Sequence, residues 1–145
     1  ESILGVHIGR GSKIGANSII SCTSGINEIG RGISIGDGSG FGEYCYFGCA
    51  GGVEIGDNVI AGQYVSFHSE NHLVNFDSDS ADFSGVNRSG IKVGNNCWIG
   101  AKATFLDGSK LGNNCVVAAG SVVRDEYPDN VIIAGVPAKI VKHIS

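Results

Sequence analysis

Several things are scarce in this chain of 145 residues, and each scarcity excludes something. No apolar run approaches the roughly 20 residues that a membrane-spanning helix needs. No charged-then-apolar leader opens the sequence either. Charged residues make up only 17% and the formal net charge is −4, so the basic face that neutralises nucleic-acid phosphates is missing. The 5 cysteines are an odd count without a CxxC pair, which supplies neither a disulfide framework nor a zinc knuckle. The expectation is reduced thiols in a cytoplasmic protein. Methionine is absent and Glu1 comes first, so an N-terminus processed, tagged or trimmed ahead of it is expected. Proline occurs only 2 times, yet disorder is not indicated, because 42% of the residues are hydrophobic.

Glycine, by contrast, is abundant at 24 residues, more than twice its usual share of about 7%. Its distribution is periodic. Blocks of six residues begin at Ile8, Ile14, Ile20, Ile29, Ile35, Phe41, Phe47, Ile55 and Ala61, then at Val93, Ile99, Phe105, Leu111 and Val117. The second position is glycine in 11 of these 14 blocks, and turn formers such as Asp57-Asn58, Asn95-Asn96 and Asn113-Asn114 follow. The fifth position is small: Ser18, Ser24, Ser39, Cys45, Cys97, Ala103, Cys115 and others share it. Three cysteines are therefore explained by packing in a tight interior; Cys22 and Cys49 fall at the third position. A period of six is neither helical nor heptad. It fits a short strand and a turn repeated, each burying one large residue against its stacked neighbours, as in a parallel β-helix. One domain is expected over residues 1–145, with the repeat over about 6–127 and a C-terminal segment over 128–145.

Steps of 9 residues (Ile20 to Ile29) and 8 residues (Phe47 to Ile55) read as local bulges. The step from Phe67 to Val93 is different. It inserts a polar stretch over 68–90, "HSENHLVNFDSDSADFSGVNRSG", too long for an ordinary connection and therefore a candidate wall of an active site. The stretch contains His68 and His72. Asp77, Asp79 and Asp82 lack the glycine and terminal glutamate of an EF-hand loop and read as a solvated tip.

The pattern [Ile/Leu/Val]-Gly-x-x-small-x resembles the hexapeptide-repeat acyltransferases. The likeness is densest in "VEIGDNVIAGQYVSFHSENH" from Val53, "VGNNCWIGAKATFLDGSKLGNNCVVAAGSVVRD" from Val93 and "VIIAGVPAKIVK" from Val131. It is similar above all to the sugar and polysaccharide O-acetyltransferase branch, with galactoside and maltose acetyltransferases. The resemblance implies an all-β fold, a left-handed parallel β-helix with one long inserted loop over about 68–90, assembled as a homotrimer. It also implies acetyl transfer from acetyl-CoA directly to a sugar-like hydroxyl or amine, at a site between subunits, without a metal. His72 takes the place of the family's general base, suiting the proton transfer that such an attack requires. His68 is the competitor, read more readily as a hydrogen-bonded side chain at the loop base. Glu70 could orient one of them but reads first as a solvated carboxylate.

For coenzyme A the resemblance implies Ala119 and Gly120 along the pantetheine arm, with Arg124 following. Gly100 and Ala101 stand at the thioester oxygen, where a backbone N–H suits an oxyanion. Trp98 stands close by, and Lys139 and Lys142 face the nucleotide phosphates. Where galactoside acetyltransferases place an Asn and an Asp for their sugar, this chain has Gly42 and Ala50, beside Glu43, Tyr44 and Tyr46. That departure points to a different sugar-like acceptor. Two alternatives stay open: a γ-type carbonic anhydrase, needing three zinc histidines of which His68 and His72 would be two, and a non-catalytic β-helix used for assembly.

Overall fold

The computed structural model describes residues 5–23 and 29–145. Ser24 of the small fifth position lies outside the described residues. Strands of two or three residues alternate with tight turns and wind the chain into a triangular coil with three parallel faces. Face A stacks Val6–Ile8, Ile33–Ile35, Val53–Ile55, Ile91–Val93, Lys110–Leu111 and Glu126–Tyr127. Face B stacks Lys13–Ile14, Gly40–Phe41, Ile60–Ala61, Trp98–Ile99, Val116–Val117 and Val131–Gly135. Face C stacks Ile19–Ser21, Tyr46–Gly48, Ser66–His68, Thr104–Phe105 and Val122–Val123. A last strand, Ala138–His143, folds back antiparallel on Val131–Gly135 after the cis Val136–Pro137 bond.

Stacking in strict register places like residues above one another, which is how a six-residue unit too small to bury itself acquires a core. On face C, Phe47, Phe67 and Phe105 stack with ring centroids 5.3 Å and 4.8 Å apart, and all three are fully buried. Phe41 of face B meets Phe47 edge-on at 5.1 Å. Where the column ends, burial ends with it. Ile8 of the first coil keeps nearly half its surface exposed because no coil lies beyond it on that side.

The turns define three corners. At corner 1, between faces A and B, one side-chain oxygen caps one backbone N–H in each successive coil. Asp37 accepts from Arg10, Asp57 from Asp37, Asn95 from Asp57, Asn113 from Asn95 and Asp129 from Asn113, all at 2.7–2.8 Å. The next residue takes the left-handed backbone that asparagine tolerates, with φ of 55° to 60° at Asn58, Asn96, Asn114 and Asn130. Their side chains form a second ladder, Asn58 to Asn96 to Asn114 to Asn130. The small fifth position also has a chemical reason. Ser39 Oγ donates to Gly56 O and accepts from Val59 N, and the thiols of Cys97 and Cys115 donate to Gly112 O and Pro128 O in the coil beyond.

The hexad layout needs one correction. Ile29 does not start a coil face: it is exposed, and face A resumes only at Ile33–Ile35, paired on Val6–Ile8 and Val53–Ile55. The longer connections at Cys49–Gly52 and over 69–90 both lie at corner 3, between faces C and A. Cross-coil bonds hold this corner as well: Gly51 N donates to Ser69 Oγ, Ser89 N to Ser69 O and Gly108 N to Ser89 O.

Candidate active site

The interruption is an antiparallel ribbon rather than a loop without secondary structure. Glu70–His72 pairs with Val86–Arg88 at its base, and Asn75–Asp77 pairs with Ser80–Asp82 toward its tip. At the base, Arg88 Nε donates to Glu70 Oε2 at 2.7 Å and Arg88 Nη1 to Ile29 O at 3.3 Å. Glu70 is therefore ion-paired across the ribbon rather than solvated. Arg88 carried no signal in the sequence, because only the antiparallel register brings it opposite Glu70. Asn87 Nδ2 reaches Asp107 Oδ2 at 3.3 Å and ties the ribbon to the next coil. The acidic tip is solvated as expected, and Asp82 caps Ser84 N, which holds its carboxyl below the usual value.

His72 is exposed on this ribbon, and its Nδ1 lies 2.9 Å from the backbone carbonyl of Phe83. A carbonyl can only accept, so Nδ1 carries the proton and Nε2 is left with a free lone pair directed elsewhere. That is the tautomer a general base requires. His68 ends the strand Ser66–His68 and stacks on Tyr46 with centroids 5.3 Å apart. Partial burial holds its imidazole below the ordinary value.

Corner 2, between faces B and C, collects Gly100, Ala101, Ala119 and Gly120. A Cβ on Gly100 would lie 2.4 Å from Ala119 N, so the two coils touch there through backbone alone. Gly120 N donates to Ala101 O at 2.9 Å. The contrast with corner 1 is informative. There an Asp or Asn oxygen from the next coil caps the N–H that follows the glycine. At corner 2 the next coil offers Ala119, which has no acceptor, and no hydrogen bond among the described residues uses the Ala101 N–H.

Trp98 lies outward on face B, 61% exposed, in register between Ile60 and Val116. Ile132 and Lys142 continue that row. Lys139 and Lys142 are three apart, which in a regular strand would send them to opposite faces. A bulge between Ile132 and Ile133 makes Lys139 pair with Ala134 and Lys142 with Ile132, so both side with the outward positions. Arg124 sits across the short strand Val122–Val123 from Gly120, 3.8 Å from Asp125. No group of three metal-ligating side chains comes together among the described residues, so His68 and His72 gain no third zinc ligand.

A stack of parallel hexad coils with one inserted ribbon can be set beside known proteins. The sequence matches the family described as bacterial transferase hexapeptide (six repeats) over residues 90–125, and the hexapeptide repeat of succinyl-transferase over residues 1–22. WbbJ of Escherichia coli (strain K12), named for a lipopolysaccharide biosynthesis O-acetyl transferase, is 35% identical over 132 residues, covering 83% of this chain and 67% of that one. A maltose O-acetyltransferase structure from Clostridium difficile 630 superposes with a TM-score of 0.77 at 30% identity, covering 98% of this chain and 71% of that one. A galactoside acetyltransferase in complex with coenzyme A gives a TM-score of 0.66 at 28% identity, covering 93% and 66%. This chain belongs to the hexapeptide-repeat acetyltransferase family, and its fold is that family's left-handed parallel β-helix. It spans less than half the length of the next curated relatives that it matches.

Proposed function

We propose that the protein transfers an acetyl group from acetyl-CoA to a hydroxyl of a sugar-like acceptor, with His72 as general base. The observation that carries this is the Nδ1–Phe83 hydrogen bond, which in the neutral imidazole puts the lone pair on Nε2, on an exposed ribbon. Nε2 takes the acceptor proton as the hydroxyl oxygen attacks the thioester carbonyl. The oxyanion accepts from the Ala101 N–H, which nothing described in the chain occupies. When the intermediate collapses, the C–S bond breaks and the imidazolium returns its proton to the leaving sulfur. No enzyme nucleophile is needed. Lys139 and Lys142 on the face of Trp98 would meet the phosphates of coenzyme A, and Ala119 and Gly120 the pantetheine arm; the coenzyme-bound galactoside relative supports coenzyme A as the ligand. Arg124 would add a further contact beyond Gly120.

Within one chain the two halves of this chemistry stand apart. The ribbon leaves from corner 3 and Ala101 sits at corner 2, with face C between them. A neighbouring copy brings its ribbon to this corner, and a closed ring of three gives three equivalent sites. Acetyl-CoA and five unpaired thiols suit the cytoplasm. The relatives WbbJ and maltose O-acetyltransferase favour a saccharide acceptor, one used in a surface polysaccharide being the best fit. Replacing His72→Ala is expected to lower kcat by about 10²- to 10⁴-fold, with acetyl-CoA affinity and mass in solution unchanged. Turnover within a few-fold of the parent would contradict His72 as base.

A further inference from the structure

Corner 2 holds a second, unexpected feature. In successive coils the residue with left-handed backbone is Asn17, Tyr44, Tyr64, Lys102 and Gly120, with φ of 59°, 58°, 58°, 61° and 70°. Asparagine and glycine are ordinary occupants of that region, whereas a bulky aromatic is an outlier that persists at a functional position. Tyr44 and Tyr64 are such outliers in adjacent coils. Their rings stack 5.2 Å apart and 7° from parallel, yet they are 51% and 53% exposed. The fold gains little burial from them. With Glu43, Gln63, Lys102 and Ala101 they line one hollow of about 390 Å³.

We infer that the Tyr44–Tyr64 corner is the platform on which a pyranose ring of the acceptor rests, and that it sets acceptor specificity. The inference rests on the acetyltransferase reading and names the residues that hold its acceptor. Ala101 belongs both to this hollow and to the proposed oxyanion contact, so a ring held by the tyrosines places its hydroxyls beside the reacting carbonyl. The lining suits a sugar. Aromatic surface covers the apolar C–H groups of a pyranose, while the Glu43 carboxylate and the Gln63 amide supply planar acceptors and donors for its hydroxyls. With one carboxylate and one ammonium, Glu43 and Lys102, the hollow carries no net charge to favour an anion, and a purely apolar ligand would leave three polar side chains unmatched.

The double variant Tyr44→Asn/Tyr64→Asn separates this role from a structural one, because asparagine relieves the backbone conformation and should fold at least as stably. Saturation-transfer NMR, with coenzyme A present, would screen the methyl glycosides of glucose, galactose, rhamnose and N-acetylglucosamine and their disaccharides. The parent is expected to saturate the ring C–H protons of at least one glycoside. In the double variant its dissociation constant should rise at least tenfold, with thermal midpoint unchanged or higher and acetyl-CoA affinity unchanged. No saturation in the parent, or equal binding by the variant, overturns the platform. Acetyl-CoA affinity, measured separately by calorimetry, shows whether the acetyltransferase reading itself has failed.

Discussion

At the scale of the residue, one carbonyl, that of Phe83, sets which ring nitrogen of a neutral His72 carries the proton, the arrangement on which the proposed base rests. His72 is proposed from its matching place in the resemblance and from the inserted stretch around it. Its orienting partner could not be picked out in this way, since a backbone carbonyl eleven residues away has no sequence signature. The cysteines show the reverse case, side chains whose chemistry the fold suppresses. Burial, reinforced by neighbouring Cys22, pushes the Cys49 thiol from its ordinary 9.0 up to about 12. Burial likewise pushes Cys97 up to about 11. In the unfolded chain both thiols would ionise near pH 9.0. Between that pH and the folded values the unfolded state binds fewer protons, so stability must fall as pH rises. Their contribution is complete below about pH 9 and is lost progressively toward pH 11–12. Denaturation midpoints measured from pH 7 to 10.5 should show this decline, and Cys49→Ser/Cys97→Ser should flatten its alkaline part. An equally steep decline in the double variant would rule the thiols out as its source.

At the scale of the element, the corners explain both what the hexad reveals and what it hides. The pattern of apolar residue, glycine and turn former was enough to anticipate strands, turns and a parallel stack, because each coil repeats the same local physics. It misplaced Ile29, since a glycine after an isoleucine satisfies the pattern whether or not a face lies there. It also missed the ribbon over 69–90, whose pairing of Glu70 with Arg88 depends on register across a polar segment. The asparagine ladder of corner 1 makes a sharp test of the turn chemistry. At Asn96, φ of 56° means that alanine incurs the left-handed penalty while glycine does not. Asn96→Ala should lower unfolding free energy by about 1–2 kcal/mol, and Asn96→Gly by clearly less, read from urea denaturation midpoints. Equal losses would mean that the side-chain ladder, rather than the backbone, carries the corner.

At the scale of the whole molecule, the chain divides labour among its corners. Corner 1 holds the coil together, corner 2 leaves a backbone donor open and corner 3 projects the histidine. In the proposed mechanism this division would set the base and the oxyanion donor apart within a chain, so that catalysis would depend on an assembly of copies. The most direct test is to titrate acetyl-CoA into the purified protein by calorimetry while measuring its mass in solution by light scattering. One acetyl-CoA bound per chain on a particle of three chains, weakened when Lys139 and Lys142 are both replaced by alanine, is the expected result. A well-folded protein that binds no acetyl-CoA would contradict the proposed acetyl transfer.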